Sequence, residues 1–90
     1  MDTVTAIEAR MRKNPAGIRF ADLARVCEHH FGQPTSRGTS HHVYSTPWHG
    51  DPRVNIQNDS GMAKAYQVRQ VLKAINRIRA IDEEKDEDNG

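Results

Sequence analysis

The chain has 90 residues, 36% of them hydrophobic, with one cysteine and a net charge of +1. That length makes one small domain with a modest core, and leaves little room for an elaborate active site. The lone Cys27 excludes an internal disulfide and fits a reducing compartment.

The near-zero net charge hides a segregation. Residues 1–81 hold twelve Lys/Arg against six Asp/Glu, whereas residues 82–90, DEEKDEDNG, hold six acids and one base. A body of +6 followed by a segment of −5 points to an anionic partner such as nucleic acid, or else to a solvated basic face. No apolar run approaches the roughly 18 residues of a membrane span, and MDTVTAIEAR does not read as a signal peptide. The expectation is a cytoplasmic protein without a membrane partner.

In chain order, Val4, Ile7 and Met11 mark one face of a helix over about residues 3–13, which Asn14-Pro15-Ala16-Gly17 stops. Phe20, Leu23, Cys27 and Phe31 mark a second helix over 20–30, closed by Gly32. HHVYST, from His41, is β-branched and aromatic, and RVNIQ, from Arg53, alternates Val54 and Ile56 against Arg53, Asn55 and Gln57. PWHGDP between them, which contains His49, is a turn-former cluster of hairpin-loop length. A short edge strand over 33–36 can precede them, confined to an edge by Pro34, and NDSG at 58–61 is a turn or loop. Val68, Val71, Leu72, Ile75 and Ile78 then form the apolar stripe of a last helix over 65–81, with Arg69, Lys73, Arg77 and Arg79 off the stripe. The expected fold is α+β in the order α-α-β-β-β-α, with helices on one face of a two- to three-stranded antiparallel sheet. Residues 1–81 form the domain and 82–90 an acidic disordered tail.

The possible metal ligands, Cys27, His29, His30, His41, His42 and His49, show none of the usual zinc spacings. Adjacent histidines diverge by about 100° on a helix and point to opposite faces on a strand, so neither pair clamps one ion readily. No metal and no cofactor is expected; a redox or metal protein built on Cys27 and the histidines is the least supported reading. His29-His30 reads as a polar helix end, and Cys27, on the apolar stripe, as inert packing. No Walker loop, dinucleotide fingerprint or G-x-S-x-G motif is present.

What remains is histidine acid–base chemistry on a phosphodiester. RNA cleavage without a metal needs a base for the 2′-hydroxyl proton, an acid for the leaving oxygen, and cations for the phosphate. Imidazole can play either proton-transfer part. RGTSHHVY places two of them between a Gly-containing turn and an aromatic, with Arg37 and Arg53 near in sequence; the plain alternative is an exposed polar strand residue. Strand parity leaves a fork. If Tyr44 packs inward, His42 goes with it and His41 faces out; if Val43 packs inward, His41 shares its face.

The succession NPAGIRFADLARVCEHHFG, SHHVY, PRVNIQ and AYQVRQVLKAI, over residues 14–78, resembles the HicA family, toxins of bacterial toxin–antitoxin pairs. That family carries Gly-Ser-His followed, two residues later, by Tyr or Phe, and Ser40, His41 and Tyr44 match it. Gly38 stands one residue early, with Thr39 inserted. The resemblance implies a fold like a double-stranded RNA-binding domain and metal-independent mRNA cleavage with His41 as general acid or base. It implies that Gly38 and Ser40 shape the turn and that Tyr44 positions or packs. It also implies a HicB-like antitoxin as protein partner. The helix over 3–13 then reads as an N-terminal extension, residues 1–14. Phosphate contacts fall to Arg37, Arg53, Arg69, Lys73 and Arg77, the last three alternatively serving the antitoxin. A non-catalytic RNA-binding or protein-interaction module is the alternative.

Overall fold

A computed structural model describes residues 3–38, 40–47 and 53–89, with side chains described up to Asp82. The expectations for Thr39 and His49 therefore lie outside the described residues. Three α-helices, a short 3-10 turn and four strands follow in the order α1 (Thr3–Lys13), the turn Pro15–Gly17, α2 (Phe20–Phe31), β1 (Ser36–Arg37), β2 (His41–Tyr44), β3 (Val54–Asp59), β4 (Met62–Ala63) and α3 (Ala65–Asn89). The strands form one antiparallel sheet in the order β1-β2-β3-β4. The α+β class is as expected; the sheet has four strands where two or three were foreseen.

The extra strand is β4, two residues long and joined to β3 by a two-residue turn. Ser60 (φ 53°) and Gly61 (φ 89°) both lie in the left-handed region, which matches the right-handed twist of the flanking strands. The Asn58 Oδ1 accepts the Gly61 N–H at 2.6 Å and stiffens the corner. The far edge of β4 is closed by the linker before α2: Ala63 N–H donates to the Ile18 carbonyl (2.9 Å) and Phe20 N–H to the Gly61 carbonyl (3.0 Å). Bonds from so distant a segment keep that sheet edge from lying open.

Tyr44, Val54, Ile56 and Ala63 present one face of the sheet to the core, where they meet Leu23, Val26 and Cys27 of α2 and Val68, Val71 and Ile75 of α3. Gly32, at φ 85°, ends α2 and returns its N–H to the Glu28 carbonyl.

Two ends of the chain bear on how the domain is bounded. The first is α1, which the resemblance made an extension of the family's minimal chain. Val4, Ile7 and Met11 are all buried in the common core, packed with α2 and α3. The second is α3, whose backbone stays helical to Asn89, through the segment expected to be a disordered tail. No Gly or Pro interrupts the sequence between Ala65 and Asn89, and Glu and Lys are good helix formers, so nothing local ends the helix before Gly90. Strand β1 lies at Ser36–Arg37, just beyond Pro34, which cannot donate to a ladder.

Candidate functional site

The parity fork resolves through Tyr44. Its side chain is fully buried, and its ladder partner is the buried Val54. His42, paired with Ile56, shares that inner face; His41, paired with Gln57, points to the opposite, open face.

His41 is exposed, and neither of its ring nitrogens has a hydrogen-bond partner among the described residues. It lines an open cleft of ≈ 280 Å³ together with Asn55, Gln57, Tyr66 and Gln67. Asn55 and Gln57 come from the outward positions of β3, and Tyr66 and Gln67 from the first turn of α3. Gln67 fixes this corner. Its Oε1 accepts the Gln57 backbone N–H at 2.7 Å, and its Nε2 donates to the Gln57 Oε1 at 3.2 Å. The Tyr66 hydroxyl reaches the same Gln57 Oε1 at 3.4 Å and lies 3.3 Å from the Gln67 Nε2. A nearly buried glutamine thus ties the start of α3 to the strand that faces His41.

On the other side of His41 lies the Gly38 turn, whose N–H donates to the His41 carbonyl at 2.9 Å. A methyl group at Gly38 would sit 3.8 Å from the imidazole Cε1 and Nε2, an ordinary contact. Gly38 is not among the positive-φ residues, so its place in the turn does not depend on glycine's conformational freedom. Ser40 is exposed and contributes its backbone: its carbonyl accepts the Asn58 N–H at 2.7 Å.

The remaining expected residues divide between the faces. Tyr44 packs, in the core, and its hydroxyl lies 3.2 Å from the His42 Nδ1, not beside His41. Arg37 pairs in register with His42, and its guanidinium meets Glu28 of α2 at 3.1 Å and Gln33 at 3.2 Å. It is therefore engaged on the helix side and does not line the His41 cleft. Arg53 is exposed where the chain enters β3. Arg69, Lys73 and Arg77 are exposed along α3 at spacings of four, and with Tyr66 three residues before Arg69 they follow one stripe of the helix. The cleft thus opens at the head of a basic ridge.

Burial pushes the Cys27 thiol far above its usual range, with Glu28 adding to the shift, as expected for an inert core cysteine. Desolvation also raises the Tyr44 phenol. His42 is pushed down from 6.5, first by desolvation and then by Arg37 and His41, against an opposing pull from Glu28. A neutral imidazole there can take the Tyr44 O–H at Nδ1, and its ring meets Phe20 edge-on at 5.0 Å.

Sequence reading missed four residues of the cleft and one buried carboxylate. Asn55 and Gln57 were visible as the polar half of the β3 alternation, but their meeting with His41 depends on register. Tyr66 and Gln67 carry no motif. Glu8 sits beside the apolar stripe of α1, and its side chain is 4% exposed. It is held by Arg79 (2.8 Å), His30 (3.2 Å) and Arg12 (3.6 Å). His30 therefore joins the partners of this buried carboxylate, while His29 stays on the surface.

Among the described residues no three His, Cys, Asp or Glu side chains converge into a metal site, and no helix is long and apolar enough to cross a membrane. Comparison of the chain with protein-family models, with curated proteins and with solved structures finds no match.

Proposed function

We propose that the protein is an RNA-cleaving enzyme of the HicA type, built on a fold like a double-stranded RNA-binding domain, in which His41 carries one of the two proton transfers. The observation that carries this reading is the outward imidazole of His41, without a hydrogen-bond partner among the described residues, at the rim of a cleft whose α3 wall, Tyr66, lies on the same helix stripe as the exposed Arg69, Lys73 and Arg77. In the reaction a base removes the 2′-hydroxyl proton, the freed oxygen attacks phosphorus, and an acid protonates the departing 5′ oxygen. The products are a 2′,3′-cyclic phosphate and a free 5′-hydroxyl. The basic stripe of α3 would hold the phosphates on either side, and a HicB-like antitoxin would silence the protein by covering that same ridge and cleft. The substrate would be mRNA in the bacterial cytoplasm.

Induction in bacteria of the wild type and of His41→Ala, each with and without RNA analysis, tests the reading. Growth arrest with RNA fragments ending in cyclic phosphate is expected from the wild type alone, and purified wild type should cut RNA in chelator. Equal toxicity of the two chains, or harmless wild type that leaves RNA intact, overturns it.

One observation favours a second reading, an RNA-binding module without catalysis. Arg37 faces α2, and among the described residues no Lys, Arg, Asp or Glu lines the cleft to steady the phosphate or orient His41. That reading expects salt-sensitive RNA retention and uncut RNA after long incubation.

A further inference from the structure

The cleft beside His41 differs in chemistry from the ridge next to it. Its lining residues among those described, His41, Asn55, Gln57, Tyr66 and Gln67, include no Lys, Arg, Asp or Glu. A phosphate would find no fixed charge there; a flat, neutral, polar group would. Tyr66 supplies the flat surface. It is one of two large apolar side chains exposed among the described residues, at 52%, and its hydroxyl is tethered to Gln57 and Gln67. An aromatic ring left in solvent yet fixed at its tip is a platform, since its position costs little further ordering when something stacks on it.

The amides beside it are unequally used. The Gln57 Oε1 is already taken by Gln67 and Tyr66, which leaves its Nε2 as a pure donor. Asn55 has no side-chain hydrogen bond among the described residues and offers both a donor and an acceptor. The volume, ≈ 280 Å³, falls below the usual range of about 300–1,000 Å³ for small-molecule sites and suits one ring system.

We propose that this cleft seats a single unpaired nucleobase of single-stranded RNA, stacked on Tyr66 and read along its edge by the Gln57 donor and the Asn55 amide. The inference rests on the RNA reading above and adds to it the strandedness of the substrate and a residue that selects it. The base would be splayed from the strand, its backbone running toward Arg69 and Lys73, and its ribose near His41. Stacking tolerates any base; the Gln57 donor favours one that presents a carbonyl oxygen at that edge.

The test is binding, measured by fluorescence anisotropy in chelator with the full chain carrying His41→Ala, so that no RNA is cut. The probes are a short single-stranded RNA, the same length of abasic ribose-phosphate, and a duplex of the same sequence. The single strand should bind about 5- to 150-fold more tightly than the abasic strand, the range that one base–aromatic stack contributes, and more tightly than the duplex. Adding Tyr66→Ala should remove most of that advantage while abasic binding stays the same. Tyr66→Phe, which keeps the ring but loses the hydroxyl tether, should retain most of it. Tyr66 is exposed, and circular dichroism of each variant checks the fold. Equal binding of base-bearing and abasic strands, or no effect of Tyr66→Ala, overturns the base seat and leaves the ridge as an RNA surface. No binding of any RNA by the His41→Ala chain overturns the RNA reading and the base seat together.

Discussion

Replacing Glu8 by Gln keeps the shape of the side chain and deletes its charge. In the native fold the carboxylate receives Arg79 and Arg12 on one oxygen and His30 on the other, at 2.8, 3.6 and 3.2 Å. Removing one member of a fully buried ion pair costs about 3–5 kcal/mol, because the partner is left charged and dry. Here the orphans are better placed. The Arg79 and Arg12 side chains are 49% and 46% exposed and can return to water, so each contributes only about 0.3–1 kcal/mol. His30 is mostly enclosed, and its link to Glu8 is the stronger loss, on the order of 1–1.5 kcal/mol. The expected destabilisation is therefore about 2–3 kcal/mol, below the fully buried case. For a domain of this size it lowers Tm by about 10–20 °C. Urea unfolding followed by far-UV circular dichroism measures it, with m unchanged if the denatured state is untouched. A double-mutant cycle with Arg79→Ala should give a coupling of about 0.5–1 kcal/mol. A Glu8→Gln protein within about 0.5 kcal/mol of wild type, a typical surface result, would refute the claim that this cluster fastens α1 to α2 and α3.

Four further outcomes follow from single residues. Ser60 pays for a positive φ that Asn tolerates better, so Ser60→Asn should gain up to about 1 kcal/mol in urea unfolding, whereas Gly61→Ala should lose about 1 kcal/mol although its new methyl touches nothing. His42 has a lowered folded pKa, so below about pH 6.5 the unfolded chain binds the extra proton and stability falls with pH through that window. His42→Gln should show a smaller stability drop between about pH 7.5 and about pH 5 than wild type; an unchanged drop counts against the assignment. Cys27 should resist iodoacetamide in the native protein and react fully in urea; rapid native labelling would mean that the α2 stripe is not closed over it.

The parts of the fold legible in sequence are those with local causes. Apolar spacing located α1, α2 and the body of α3, and the Val54/Ile56 alternation located β3 and its inward face. What was not legible depends on partners far along the chain. Met62 and Ala63 carry no strand pattern of their own; they become β4 through bonds to Ile18 and across the Ser60–Gly61 turn. Glu8 carries no local sign of burial; it is Arg79, 71 positions later, that closes on it. In the candidate site His41 stood out through its spacing to Tyr44, yet Arg37, close in sequence, does not line the cleft, because pairing with His42 turns it toward Glu28. Gln57 and Tyr66, which line the same cleft, are brought there by strand register and by the docking of α3 through Gln67.

The alternation of β2 has a consequence for how this strand can change. His41 and His42 are chemically the same side chain, and the core residue Tyr44 decides which of them meets the cleft. The strand works as a reading frame whose phase is set at its far end. Lengthening or shortening the turn before it leaves that phase alone, because Tyr44 still fills the same hole. A bulge anywhere between His42 and Tyr44 would exchange the two imidazoles, sending one into the packing around Phe20 and bringing the other out beside Gln57. Insertions at the Gly38–Ser40 corner should accordingly be tolerated far better than one inside the four residues of the strand.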